Sequence, residues 1–95
     1  MANRITIYGI PSDRDSKRLK REMNVMTLEY EFVEPAKDPR ASTRLNEWNA
    51  GARLPIVEVT RRDDQGSVFM TNPDEPTLRQ CLHSEGILSI TSYWV

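Results

Sequence analysis

The opening third of the chain sets the strongest constraint on its fold. Arg4 to Tyr8 is short and rich in β-formers, with Ile5 and Ile7 on one face. Gly9 and Pro11 break it. Ser12 to about Asn24 then reads as a helix, with Ser12 as N-cap, Asp15 three residues on and an apolar stripe of Leu19, Met23 and Met26. Leu28 to Val33 alternates cleanly, with Leu28, Tyr30 and Phe32 on one side and Glu29 and Glu31 on the other. A strand, a helix and a second strand in that order imply a right-handed crossover and a parallel strand pair.

The rest of the chain extends the alternation. Asp38-Pro39 opens a second helix, with Asp38 as N-cap and Pro39 at the first helical position, where its missing N–H costs nothing. Ala41, Leu45 and Trp48 form its apolar stripe, and Gly51 suits its end. Ile56 to Val59 and Val68 to Met70 read as a β-hairpin around the polar loop from Arg61 to Gly66. Asp74 caps a last helix with Pro76 in its first turn, Leu78, Cys81 and Leu82 facing inward, and Gly86 at its end. The expected fold is α/β: a four-stranded mixed sheet with helices on both faces, in the order β-α-β-α-β-β-α, over residues 1–86. A strand-like tail from Ile87 to Val95 packs on the domain or pairs with a partner or a second copy.

Composition narrows the function classes. With 95 residues there is one small domain. Thirteen basic and fourteen acidic side chains give a net charge of −1, which does not steer the chain to nucleic acid or an anionic membrane. The single cysteine, Cys81, excludes an internal disulfide and any all-cysteine metal site, and His83 has no ligand partner at a telling spacing. Gly9, Gly51, Gly66 and Gly86 are isolated and make no phosphate loop. Arg61-Arg62-Asp63-Asp64 is a mixed-charge hairpin tip. No apolar run approaches membrane length and the N-terminus lacks signal-peptide character, so a cytoplasmic location is expected.

Three stretches carry a resemblance. Ile7-Tyr-Gly-Ile-Pro11 is similar to the first strand and turn of glutaredoxins. Asn49-Ala-Gly-Ala-Arg-Leu-Pro55 is similar to the run into their cis-proline, and Gly66-Ser-Val-Phe-Met-Thr-Asn-Pro73 resembles the hairpin and pre-helix turn of the mycoredoxin branch. They occur in the expected order on the expected elements, across about residues 4 to 86. The resemblance implies a thioredoxin-like fold. It also implies Cys-x-x-Cys, or Cys-x-x-Ser, after the first turn, where this chain has Asp13-Arg14-Asp15-Ser16. The positions matching the family cysteines are thus Asp13 and Ser16. Disulfide exchange needs a thiolate, which neither residue supplies.

The family holds its cysteine thiolate at a helix N-terminus, so Asp13 would place a permanent negative charge in the same field, worth roughly 0.3–1 kcal/mol to the helix. Asp13 and Asp15 read equally as ordinary first-turn residues. Cys81 reads as a core residue or as a displaced redox cysteine.

By position, the resemblance carries a glutathione groove onto Asp13, Arg14, Arg53, Leu54, Pro55, Asp74 and Glu75. Leu54 and Pro55 would pair with the cysteinyl unit, Asp74 and Glu75 would hold the γ-glutamyl end, and Arg53 would take the glycyl carboxylate. The leading expectation is a redox-inactive glutaredoxin-like protein that binds a partner protein or a peptide-like ligand. The alternative is a glutathione-dependent transferase in which Ser12 or Ser16 donates to the glutathione thiolate. A thiol–disulfide oxidoreductase working through Cys81 ranks third. No resident cofactor or metal is expected, with glutathione as the one ligand implied.

Overall fold

A computed structural model of the chain describes residues 4–47, 54–61 and 66–87. Strand β1 (Arg4–Tyr8) leads into helix α1 (Arg14–Val25), and strand β2 (Glu31–Val33) follows. A 3-10 turn (Pro35–Lys37) precedes helix α2 (Pro39–Glu47). Strands β3 (Ile56–Thr60) and β4 (Ser67–Thr71) form a hairpin, and helix α3 (Glu75–Ser84) closes the described fold. The strands lie in the order β2-β1-β3-β4, with β1 parallel to β2 and antiparallel to β3, and β3 antiparallel to β4. The α/β class and the mixed four-stranded sheet with three helices are as the sequence implies. The order of elements differs from the expected one by the 3-10 turn, which Pro35 starts and the Lys37 N–H to Glu34 carbonyl bond (3.0 Å) closes.

The pleat of β1 and β3 divides the core in two. Ile5 pairs with Val59 and Ile7 with Val57, and these four pack against Leu19 and Met23 of α1 and Leu78 and Leu82 of α3. On the other face Tyr8 pairs with Ile56 and packs against Ala41 and Leu45 of α2. Each fully buried aliphatic side chain contributes about 1.5–3 kcal/mol. Among the described residues the second cluster is the smaller, with four buried members against eight.

Three boundaries depart from expectation. The N-cap of α1 is Asp13, not Ser12. Asp13 is extended (φ −74°, ψ 139°) and accepts from the Ser16 N–H, while Ser12 is exposed in the preceding turn. Strand β2 begins at Glu31 rather than Leu28, because Thr27 takes φ +58° and the Leu28 N–H bonds back to the Met23 carbonyl. Leu28 and Tyr30 still pack on the first core beside Phe32, so the expected face is kept without the ladder. Cys81 is half-buried rather than part of the buried face, which Leu78 and Leu82 supply.

Asp38 does serve the N-terminus of α2, accepting from the N–H groups of Arg40 (3.0 Å) and Ala41 (3.4 Å). Ile87 packs on the first core. Trp48, Gly51, Arg53, the hairpin tip 62–65 and the tail beyond Ile87 lie outside the described residues.

Candidate functional site

The turn between β1 and α1 is held by a closed set of hydrogen bonds. Asp13 Oδ2 accepts from the Ser16 N–H (3.0 Å) and from the Ser16 hydroxyl (3.3 Å). The same hydroxyl accepts from the Ile10 N–H (3.2 Å), and the Asp13 N–H donates to the Ile10 carbonyl (2.9 Å). Ser16 is fully buried, and its one hydroxyl proton is committed to Asp13. It is therefore not a donor for an incoming thiolate. Asp13 satisfies a helix N–H group, that of Ser16, that would otherwise lack a partner, the ordinary work of an N-cap. Asp13→Ala is expected to lower stability by about 1 kcal/mol, read as a shifted urea midpoint, and Asp13→Asn by less.

A second network ties this end of the molecule together through Asn72 and Arg18, two residues whose roles the sequence did not announce. The Asn72 N–H donates to the Pro55 carbonyl (2.7 Å), and the Leu54-Pro55 bond is cis. The Asn72 side chain donates to Asp15 (3.3 Å) and accepts from Arg18 (3.0 Å), which also reaches the Pro73 carbonyl (2.9 Å) and Glu22 (2.7 Å). Asn72 has φ +41°, a left-handed conformation that Asn tolerates better than most residues. The Thr-Asn-Pro run was the available signal. Pro55 and the turn before α3 are thus fastened to the first turns of α1.

The remaining positions of the expected groove have local partners or none. Asp74 caps α3 by accepting from the Thr77 N–H (2.9 Å), and Glu75 pairs with Arg79 one turn on (3.2 Å). Arg14 is exposed and makes no ion pair among the described residues. Leu54 is half-buried against the second core. No hydrogen bond joins Asp13 to Leu54, Pro55, Asp74 or Glu75 among the described residues.

Two carboxyls sit below their ordinary range. The Thr77 hydrogen bonds lower Asp74, with Arg18 adding a smaller pull. The Arg61 hydrogen bond and charge lower Glu85. Both groups bind protons more tightly in the unfolded chain. Their contribution is therefore complete above the unfolded values, near pH 4, and is lost as pH falls through the folded ones. Asp74→Asn together with Arg61→Gln is expected to flatten the acid limb of the stability–pH curve below about pH 4. Midpoints above pH 6 should keep their pH dependence.

A third constellation lies on the α2 face of the sheet. Glu58, in the middle of β3, is 2% exposed. Its Oε1 accepts from the Tyr8 hydroxyl (2.7 Å) and its Oε2 from the Arg44 guanidinium. Burial, then the Glu58 hydrogen bond and charge, push the Tyr8 phenol up, so it remains a donor throughout the neutral range. The three side chains line a cleft of about 270 Å³ with Arg4, Thr6, Glu31, Asp38, Arg40 and Thr60.

The Cys81 thiol is pushed up, by burial and then by Glu85, which disfavours the thiolate that reactivity requires. His83 is half-buried. Among the described residues no three His, Cys, Asp or Glu are grouped to hold a metal ion, and no helix is long and apolar enough to cross a membrane. Comparisons with protein-family models, with curated proteins and with solved structures find no match to this chain.

Proposed function

We propose that the chain is a glutaredoxin-like, thioredoxin-fold protein without thiol chemistry, acting by binding a partner protein or a peptide-like ligand. The ligand would lie beside Leu54 and Pro55 and the N-terminal ends of α1 and α3. The observation that carries this reading is the β1–α1 turn. At the two positions where the resemblance implies sulfur, Asp13 and Ser16 hold the helix N-terminus and each other. The arrangement keeps a negative group in the helix field while leaving no nucleophile. The transferase reading rests on Ser12, exposed in the same turn, since the Ser16 proton goes to Asp13.

The test restores the sulfur. Purified wild type and Cys81→Ser are expected to reduce a mixed glutathione disulfide no faster than glutathione alone. Asp13→Cys is expected to gain turnover. The introduced thiolate would take the glutathionyl sulfur and expel the substrate thiolate, and a second glutathione would then release glutathione disulfide and regenerate the thiol. Turnover by wild type would defeat the redox-silent reading. An inert Asp13→Cys variant that is folded and carries a titratable thiol would defeat the glutaredoxin-like one.

A further inference from the structure

The cleft on the α2 face has a composition that local packing does not account for. Its floor is β1 and β3, where the register sets Thr6 against Glu58 and Arg4 against Thr60. Its walls are Glu31 and Val33 of β2, and Asp38, Arg40, Ala41 and Arg44 at α2. Two of its three carboxylates are already committed. Asp38 accepts the first N–H groups of α2, and Glu58 is matched by Tyr8 and Arg44. Arg4 and Arg40 are exposed and make no ion pair among the described residues. Thr6 is 5% exposed, yet its hydroxyl makes no hydrogen bond among those residues. The Thr60 hydroxyl accepts from Ser67 at 3.5 Å, which leaves its proton to donate. Asp38 keeps its charge as the helix cap, so the three carboxylates balance the three guanidinium groups of the lining, but uncommitted donors outnumber uncommitted acceptors: Arg4, Arg40 and the two threonine hydroxyls face the single uncommitted carboxylate of Glu31.

We propose that this cleft binds a small organic oxyanion, a carboxylate or a phosphate ester, held by Arg4 and Arg40 at its rim and by the Thr6 and Thr60 hydroxyls at its floor. Guanidinium groups match carboxylate and phosphate oxygens with paired N–H donors. The buried Glu58 does not repel the ligand, because Arg44 balances its charge and Tyr8 donates to it. At about 270 Å³ the cleft falls just under the range of drug-sized sites, so the ligand is a small metabolite. The site is separate from the β1–α1 turn and does not depend on the function proposed for that turn.

The experiment is an amide-resolved NMR titration of the full chain with succinate and, separately, with glycerol phosphate, at constant ionic strength and with sodium chloride as control. Saturable shifts at Thr6, Glu31, Ala41 and Thr60 with at least one probe are expected. Saturation by succinate alone assigns a carboxylate ligand, and by glycerol phosphate alone a phosphate ester. Arg4→Ala and Arg40→Ala, both at exposed positions, should each weaken binding about tenfold while the spectrum stays dispersed. Flat titrations with both probes would overturn the proposal. So would shifts that chloride reproduces, or affinities unchanged in both arginine variants.

Discussion

Arg44→Ala is expected to destabilise the fold by about 3 kcal/mol, because it leaves the Glu58 carboxylate buried with only the Tyr8 hydroxyl as its side-chain partner among the described residues. The value sits at the low end for a broken buried pair because the Arg44 side chain is 49% exposed, so water already weakens the interaction. The companion variant separates charge from packing. Arg44→Leu combined with Glu58→Gln removes both charges together while keeping an acceptor for the buried Tyr8 hydroxyl, and is expected to fall within about 1 kcal/mol of wild type, since a buried ion pair rarely outperforms neutral residues of similar volume. Urea unfolding of the three proteins decides the matter. If Arg44→Ala costs under about 1 kcal/mol, water reaches Glu58 and the network is not a buried one. If the double variant is as damaged as the single one, the cost lies in lost packing by the Arg44 stem.

Gly9→Ala should be comparably harmful for a different reason. A Cβ at Gly9 would lie 2.4 Å from the Ser16 Oγ, 3.1 Å from its Cβ and 3.3 Å from a ring carbon of Phe32. The Ser16 hydroxyl cannot swing aside cheaply, because it accepts from Ile10 and donates to Asp13. Overpacking plus the displaced hydrogen bonds is expected to cost about 3 kcal/mol. Gly9→Ala with Ser16→Gly removes the obstructing side chain. It should recover more than half of the loss, although glycine inside a helix itself costs about 1 kcal/mol. No recovery would mean that the Phe32 contact, not Ser16, sets the limit.

Much of this architecture was readable from local signals. The caps at Asp38 and Asp74, the facing of Ile5 with Ile7, and the hairpin before α3 all rest on short-range patterns that the folded chain uses as written. The errors have physical causes. Ser12 and Asp13 are adjacent residues of types that both cap helices, and the Asp13 N–H bond to the Ile10 carbonyl together with the Ser16 N–H bond to the Asp13 side chain makes Asp13 the cap. The expected length of β2 overlooked that Leu28 to Tyr30 carry the chain back from the end of α1. Only the residues opposite Thr6, Ile7 and Tyr8 find a ladder.

Glu58 shows where pattern reading stops. Its neighbours Val57 and Val59 face the first core, so strict alternation sends Glu58 to the opposite side, where a carboxylate is expected to meet water. On that side α2 returns across the sheet with Arg44, and Tyr8, fifty positions earlier, lies on the neighbouring strand, so the carboxylate meets these partners in a buried place. The same holds for Asn72 and Arg18, which meet across 54 positions. Helix and strand periodicity carries no information on which distant partner a polar side chain will find.

Among the described residues the two rims of the sheet are unequal, and this bears on how copies of the chain could stick to one another. On one side β2 offers three residues, with Glu31 exposed and Pro35 close behind. On the other β4 offers five, Ser67–Thr71, with no proline among them. A short rim with a charge and a nearby proline resists adding a further strand, whereas a longer proline-free rim invites it. Two chains joined β4 to β4 would present only their β2 rims outward. Growth by edge pairing would therefore stop at the pair, and the geometry that leaves one rim adhesive also denies it a route to fibres.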